Sequence, residues 1–257
     1  MQISDERFIL GIMIKIIDAH CHIQSTQDIA HMLSRADDMG VVGAICNATS
    51  PADWGRIIEL AQKYAGLYGC IGVHPWHIAG LAPGWDDKMH EMLRQFPTLM
   101  VGEVGLDKNH PDMPVQESVF ISQMKIAGDL GRPIFVHCVG AWDRVLHILK
   151  NYRGARPRAL IAHAFAGSRD IMERLGTEYG FYFSYSPDIL NDNRTRLVDT
   201  VRETPIERIL IESDAATPDI VPDVLRRVAE IKSIAVADVA DIVYKNTIRI
   251  IRNGQIA

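Results

Sequence analysis

The chain has 257 residues, of which 47% are hydrophobic and 23% are charged. This composition excludes disordered and collagen-like classes, and the length allows either two small domains or one large α/β barrel. The formal net charge of −5 at pH 7 argues against a broad basic surface that coats nucleic acid, although it leaves room for a local phosphate site built on bound cations.

Cysteine usage and hydropathy indicate a cytoplasmic protein. No Cys-x-x-Cys motif occurs, and the four cysteines lie at or near the ends of apolar runs, which is typical of reduced, buried thiols: Cys21, Cys46, Cys70 and Cys138. No apolar run approaches the ~20 residues that a membrane-spanning helix needs. Asp5 and Glu6 precede the first apolar stretch, which argues against a signal peptide. Residues 1–12 are interpreted as a poorly ordered extension or an artefact of start-site choice, and residues 13–257 as one folded unit.

Short apolar runs alternate with helical patterns along the whole chain. The eight runs, each predicted to be a strand, lie at 13–17, 41–46, 67–73, 99–107, 134–137, 159–163, 181–183 and 209–214. Apolar residues at helical spacing occupy most of the intervening segments and the tail, where 221–232 and 236–252 are predicted helices. Regular β–α alternation implies a parallel sheet, and eight repeats favour a closed (β/α)₈ TIM barrel of the α/β class. A doubly wound open sheet is the alternative, but no Gly-x-Gly-x-x-Gly follows the first strand.

Ionisable residues end most of these strands, on the barrel face where active sites lie. His20 and His22 are two residues apart, so both imidazoles can point to the same side of a strand end. Any one such residue has a structural explanation as a core histidine, a helix cap or a turn former. Seven of them at one barrel mouth favour a divalent metal centre, because their unpaired burial would cost several kcal/mol. The seven are His20, His22, His74, Glu103, His137, His163 and Asp214.

The other histidines fall into two groups. His31, His90 and His147 lie in helical stretches and are interpreted as surface residues. His77 and His110 lie in loops after the third and fourth strands, where a contact with substrate is the less favoured alternative.

The motifs around these residues, taken in order, resemble the TatD-like metal-dependent hydrolases, within the larger amidohydrolase group of barrels. The resemblance covers nearly the whole chain from Met13. It is carried by Asp18-Ala19-His20-Cys21-His22, Gly72-Val73-His74-Pro75, Gly102-Glu103-Val104-Gly105-Leu106-Asp107, His137, His163-Ala164-Phe165-Ala166-Gly167-Ser168, Ile211-Glu212-Ser213-Asp214 and Asn246. It implies one or two divalent ions and hydrolysis of phosphodiesters, typically of DNA from a 3′ end. The implied metal ligands are His20, His22, Glu103, His137, His163 and Asp214, and His74 is implied to lie close to the substrate.

Chemistry is consistent with a two-ion site. The two oxygens of Glu103 suit it to bridge ions about 3.5–4 Å apart. We assign one ion to His20, His22, Glu103 and Asp214, and the other to Glu103, His137 and His163. Asp214 is expected to orient an attacking water and accept its proton. Four imidazoles with two carboxylates favour zinc, manganese or iron over calcium, and they disfavour magnesium, which nucleases nevertheless commonly use.

The sequence departs from the family around the substrate rather than around the metal. The fifth strand of the family commonly continues His-Ser-Arg, whereas Cys138 and Val139 follow His137 here, so an arginine for a substrate phosphate is missing. Ala164 stands where the family commonly has cysteine, and Ala215-Ala216-Thr217-Pro218 stands where Ala-Pro is usual. Few basic residues are expected on the mouth-side loops: Lys108, Arg169 and Arg194.

The leading hypothesis is a cytoplasmic metal-dependent hydrolase that acts on DNA ends as a 3′–5′ exodeoxyribonuclease, with Glu103, Asp214 and His74 as catalytic residues. The second hypothesis keeps the same metal site but takes a small ester, lactone, amide or phosphoester as substrate. The missing arginine and the negative net charge favour it. A third hypothesis, a non-catalytic metal-binding or interaction protein, is disfavoured because every ligand is present. No membrane partner is expected, and the sequence leaves the natural substrate, the number and identity of the ions, and the oligomeric state open.

Overall fold

Eight parallel strands form the centre of the computed structural model, which describes residues 8–9 and 12–255, with side chains for 14–252. They are β1 (Ile16–Cys21), β2 (Val41–Asn47), β3 (Leu67–Ile71), β4 (Met100–Asp107), β5 (Ile134–Val139), β6 (Leu160–Ala162), β7 (Tyr182–Tyr185) and β8 (Ile209–Ile211). Each strand pairs with the next one along the chain. The predicted TIM barrel is therefore confirmed, as an eight-stranded, nearly closed barrel.

A helix follows every strand and covers the outside of the barrel. The helices are α1 (Ile29–Asp38), α2 (Trp54–Lys63), α3 (Trp85–Gln95), α4 (Met113–Asp129), α5 (Trp142–Asn151), α6 (Arg169–Tyr179), α7 (Thr195–Glu203), α8 (Val221–Lys232) and α9 (Val236–Gln255). Local sequence fixes several of their ends. The side chain of Ser168 accepts a hydrogen bond from Ile171 N at the start of α6, and Gly180 ends that helix with a φ of +74°.

Two apolar layers explain why the strands are continuous apolar runs. Inward-facing residues such as Ile17, Ile45 and Phe135 fill the barrel together with Ile250 and Ile251 of α9. Outward-facing residues of the same strands pack against the surrounding helices in a second, larger cluster. All eight residues of β4 are buried, as expected for a parallel strand covered on both faces.

The barrel is joined between β1 and β8 by a few specific hydrogen bonds. Asp214 N donates to His20 O at 3.0 Å, and His22 N donates to Ala215 O at 2.8 Å. The buried carboxylate of Asp18 accepts from Ser213 N at 2.9 Å and from His20 N at 3.2 Å. Burial raises the pKa of Asp18 to about 7, although the bonds from Ser213 oppose this rise. We call this junction the seam.

The N-terminal part differs in detail from the expectation. Phe8–Ile9 and Ile12–Met13 pair antiparallel as a two-stranded hairpin, with Met13 opposite Phe8. The first barrel strand begins at Ile16 rather than at Met13, after the exposed Lys15. The expectation of a poorly ordered N-terminal extension covers residues 1–12. Of these, residues 1–7, 10 and 11 lie outside the part of the chain that the structure describes. Across the described helices, none combines the length and the apolar character that crossing a bilayer would require.

Candidate metal centre

Glu103 of β4 lies at the centre of the predicted histidine cluster, and its side chain is only 4% exposed. Its Oε2 lies 3.3 Å from His20 Nε2 and 3.4 Å from His22 Nε2. Its Oε1 lies 2.9 Å from both His137 Nδ1 and His163 Nε2. The two oxygens of one carboxylate therefore face two different groups of imidazoles.

Asp214 joins this cluster from the loop that follows β8. Its Oδ1 lies 3.4 Å from His22 Nε2 and 3.7 Å from His20 Nε2. Its side chain is 36% exposed, so it is the more open of the two carboxylates at the centre. The backbone of Asp214 has a φ of +50°, a left-handed conformation that aspartate tolerates better than most residues.

The outer nitrogens of three histidines face acceptors. His22 Nδ1 lies 3.0 Å from the carbonyl oxygen of Asn47. His163 Nδ1 lies 3.4 Å from Glu212 Oε1, and His137 Nε2 lies 3.6 Å from Asp107 Oδ2. Acceptors on that side would let each imidazole keep a proton on the outer nitrogen while the inner nitrogen binds a cation at the centre.

His74 has the opposite arrangement. Its Nδ1 accepts a hydrogen bond from Trp76 N at 3.2 Å, so a neutral His74 carries its proton on Nε2. Nε2 lies 3.2 Å from Glu103 Oε1, close enough to place His74 in one cluster with Glu103 and His137. Distance alone therefore does not separate His74 from the other imidazoles, but the hydrogen-bond pattern does.

The charges at the centre are strongly interdependent. Burial would raise the pKa of Glu103, but the imidazoles of His163, His137 and His20 hold it well below its usual range. Burial opposes protonation of His22, yet Asp214 and Glu103 raise its pKa to about 10. Burial lowers the pKa of His20 and of His74. Glu103 is therefore an ionised carboxylate that is buried among imidazoles.

The donor set fits divalent cations. His20 Nε2 is buried and makes no hydrogen bond, although oxygens of Glu103 and Asp214 lie within 4 Å of it. Three sets of side chains bring their ligand atoms within 4.8 Å of one another: His20 with His163 and Asp214, His20 with His22 and Glu103, and His74 with Glu103 and His137. Imidazole and carboxylate donors in this number suit zinc, manganese or iron better than calcium.

A cavity of 480 Å³ opens beside the cluster and is lined in part by His137, His163 and Asp214. Arg194 also lines it, and its guanidinium lies 2.5 Å from Asp188 Oδ2. The side chain of Lys108 lies over Gly140 at the rim. Arg169 is paired with Glu173 at 2.7 Å and lies 3.7 Å from Glu203. The predicted basic residues are thus present, but two of the three are already paired with carboxylates.

All seven predicted site residues come together, and the structure adds residues that the sequence reasoning did not single out. Asp107 and Glu212 lie behind His137 and His163, and the carbonyl of Asn47 lies behind His22. Asp107 and Glu212 were visible as acidic residues inside the strand-end motifs, whereas nothing in the sequence marked the carbonyl of Asn47. His31, His90 and His147 lie on α1, α3 and α5, outside the cluster.

Comparison with known proteins agrees with this geometry. A family model described as TatD-related DNase matches residues 17–252. A 3′-5′ ssDNA/RNA exonuclease TatD from Klebsiella pneumoniae is 30% identical over 196 residues, which cover 75% of this chain and 73% of that protein. A metal-dependent hydrolase of Bacillus subtilis, YabD, is 26% identical to this chain. The match covers 92% of this chain and 99% of YabD.

Among solved structures, the TatD homologue YjjV from Escherichia coli superimposes with a TM-score of 0.84. The match covers 91% of this chain and 97% of YjjV at 24% sequence identity, and it shows a shared fold.

Proposed function

Because the chain belongs to the TatD-related DNase family, and is thus a metal-dependent hydrolase, we propose that it removes nucleotides from the 3′ ends of single-stranded DNA. The observation that carries this proposal is the position of Glu103. One of its oxygens faces His20 and His22, and the other faces His137 and His163. A carboxylate shared by two groups of imidazoles is the arrangement expected of a bridge between two cations.

We assign the first ion to His20, His22, Glu103 and Asp214, and the second to Glu103, His137 and His163. Support comes from the hydrogen bonds of the imidazoles. Acceptors beside the outer nitrogens of His22, His137 and His163 would let these imidazoles hold a proton on that side and offer the inner nitrogen to a cation, whereas Nδ1 of His74 accepts from Trp76 N. His74 is therefore assigned as a hydrogen-bond donor to substrate and not as a ligand.

Divalent ions at this centre supply Lewis acidity toward a phosphoryl oxygen and lower the pKa of the attacking water. Asp214, the more exposed carboxylate, orients that water and accepts its proton at a carboxylate oxygen. Nε2–H of His74 donates a hydrogen bond to a non-bridging phosphate oxygen. As the water oxygen bonds to phosphorus, the P–O3′ bond breaks. The proton held by Asp214 can then return to the leaving oxygen, which yields a 5′-monophosphate and a new 3′-hydroxyl.

A small ester, lactone, amide or phosphoester is the second candidate substrate. Val139 stands where the family commonly has an arginine, and Arg194 and Arg169 are paired with carboxylates, so few cations are free to hold a polyanion. The nuclease names of several relatives weigh against this candidate. We also propose a cytoplasmic location, which is supported by four free cysteines.

The experiment uses a 5′-labelled single-stranded oligonucleotide, a duplex of the same sequence and a panel of small esters, each with added zinc, manganese or magnesium. The proposal expects a ladder that shortens from the 3′ end, release of 5′-monophosphates, and one to two divalent ions per chain by elemental analysis. Turnover of a small ester without any cleavage of nucleic acid would establish the second candidate instead. A protein that neither binds nor is stabilised by any of these ions would contradict both.

A further inference from the structure

We propose that the exposed ring of Trp76 is a stacking site for a nucleobase next to the scissile phosphate. The inference rests on the proposed nuclease function and adds a binding site to it. Trp76 follows β3 in the short helix Pro75–Gly80, directly after His74, and so lies beside the metal centre.

The exposure of Trp76 is unusual for its residue type. Its relative accessibility is 54%, the highest among the exposed large hydrophobic residues in the described part of the chain. Trp54 and Trp142, by contrast, are buried. An exposed indole beside a functional site offers a large, rigid π-face on which a flat ligand can stack.

Despite this exposure, the indole is held in place. Its Nε1–H donates to Asp107 Oδ2 at 2.7 Å. The ring of His110 stacks on it with centroids 5.0 Å apart and an interplanar angle of 23°. A surface tryptophan fixed in this way loses little conformational entropy when a flat ligand binds. We call Trp76, His110 and Asp107 together the aromatic platform.

The distance between the aromatic platform and the metal centre is short enough for one nucleotide to span. The Trp76 ring centroid lies 4.9 Å from that of His74 and 6.5 Å from that of His137, whose Nδ1 contacts Glu103. A nucleotide whose phosphate is bound at the metal centre would therefore have its base within reach of the platform. Asp107 connects the two parts, since its Oδ2 also lies 3.6 Å from His137 Nε2.

Stacking also suits the charge of this protein. With a net charge of −5 and few free cations at the rim, electrostatic attraction to a nucleic acid is weak. Stacking on an aromatic ring needs no charge and accepts every base, because each base has a π-face. The aromatic platform therefore recognises an unpaired base of any type, which a duplex does not offer.

The test compares Trp76→Phe, which keeps an aromatic face, with Trp76→Leu, which does not. Both variants lose the hydrogen bond to Asp107, so the difference between them isolates stacking. Ile121→Ala on α4, a position that is 40% exposed, is the control for loss of exposed apolar surface. Substrates are oligonucleotides with intact bases and the same oligonucleotides with an abasic nucleotide at the terminal or penultimate 3′ position.

We expect the wild-type protein to prefer the intact over the abasic substrate by about 5- to 150-fold in kcat/KM, the range that one base stacked on an aromatic ring provides. Trp76→Phe should keep most of this preference, Trp76→Leu should lose it, and Ile121→Ala should behave as wild type. Binding of oligonucleotide should also quench tryptophan fluorescence in the wild type.

Equal losses in Trp76→Phe and Trp76→Leu, on intact and abasic substrates alike, would overturn the inference and show that Trp76 only positions Asp107 and His137. An unchanged preference in Trp76→Leu would overturn it as well. Failure of the proposed function has a different signature, because the wild-type protein would then cleave neither substrate.

Discussion

At the scale of single residues, the site depends on the different surroundings of two carboxylates. Glu103 is almost fully enclosed by imidazoles, whereas Asp214 is 36% exposed and faces the cavity. An enclosed carboxylate between two groups of donors suits a bridge, and a carboxylate open to solvent suits proton transfer. The two roles proposed for these residues therefore follow from their surroundings and not from their chemical type.

Glu103→Gln and Asp214→Asn should each reduce hydrolysis by about 10²–10⁴-fold with the fold retained. Glutamine is a poor bridge between cations, and asparagine does not accept the proton of the water. Steady-state rates and circular dichroism measure the two effects. Glu91→Gln and Asp241→Asn, which make the same chemical changes at exposed helical positions, serve as matched controls and should keep full activity. Near-normal turnover in either site variant would refute the role assigned to that residue.

His74→Ala should impair turnover but leave the metal content unchanged, because the hydrogen bond from Trp76 N places the proton of His74 on the nitrogen that faces Glu103. His22→Ala, which removes an imidazole whose outer nitrogen faces the carbonyl oxygen of Asn47, should lower the metal content by up to one equivalent. Elemental analysis of both variants beside the wild type distinguishes these cases. Loss of a full equivalent in His74→Ala would make His74 a ligand.

At the scale of elements, the spacing of β4 and β5 decides where His137 lies. Gly105 of β4 pairs with His137 of β5 and has a φ of +149°. A side chain at this position would clash with the carbonyl oxygen of His137, and the backbone conformation is one that residues other than glycine rarely adopt. The glycine thus lets the strand that carries Glu103 approach the strand that carries His137.

Gly105→Ala should therefore destabilise the protein strongly and disturb the metal centre, whereas Gly55→Ala should not. Gly55 lies in α2 with nothing within 4 Å of an added Cβ, so alanine there should stabilise the helix by up to about 1 kcal/mol. Urea unfolding of both variants gives the free energies. If Gly105→Ala were as stable as wild type, the close approach of the two strands would not be required.

The sequence predicts the strands of the barrel better than it predicts the contacts between the loops. Strand positions followed from continuous apolar runs, and the ends of those strands indicated the seven residues that the structure brings together, because parallel barrel strands all open onto one face. The stacking of Trp76 on His110 was not predictable, since it joins two loops whose relative positions no periodicity encodes. The proton positions of His22 and His74 depend on backbone atoms of Asn47 and Trp76, which every residue possesses and which a sequence therefore does not mark.

At the scale of the whole molecule, the charge distribution limits how the protein holds a polyanion. The net charge is −5, and two of the three predicted cations at the mouth are paired with carboxylates. If the proposed nuclease function holds, we expect affinity for nucleic acid to come mainly from the centre itself and not from long-range attraction.

Binding of single-stranded oligonucleotides should therefore depend weakly on salt. Each phosphate held by a lysine or arginine contributes a slope of about −0.7 in a plot of log affinity against log salt, so the three basic residues Lys108, Arg169 and Arg194 limit the slope to about −2. Fluorescence anisotropy over a salt series measures it. A steeper slope, or strong binding of duplex, would reveal a basic surface that these residues do not account for.

The seam between β1 and β8 has a consequence for the synthesis of the protein. Asp18 and Ser213, which bond across it, are 195 residues apart, and the first proposed ion has ligands on both sides of the same junction. While the ribosome is still making the middle of the chain, His20 and His22 already exist but Asp214 does not. Proteins are made from the N-terminus at about 5–20 residues per second, so this part of the site stays incomplete until the last barrel strand has left the exit tunnel. With the proposed ligand sets, binding of the first ion would be a late step in the maturation of the protein, and a chain truncated before β8 would lack Asp214 from that set.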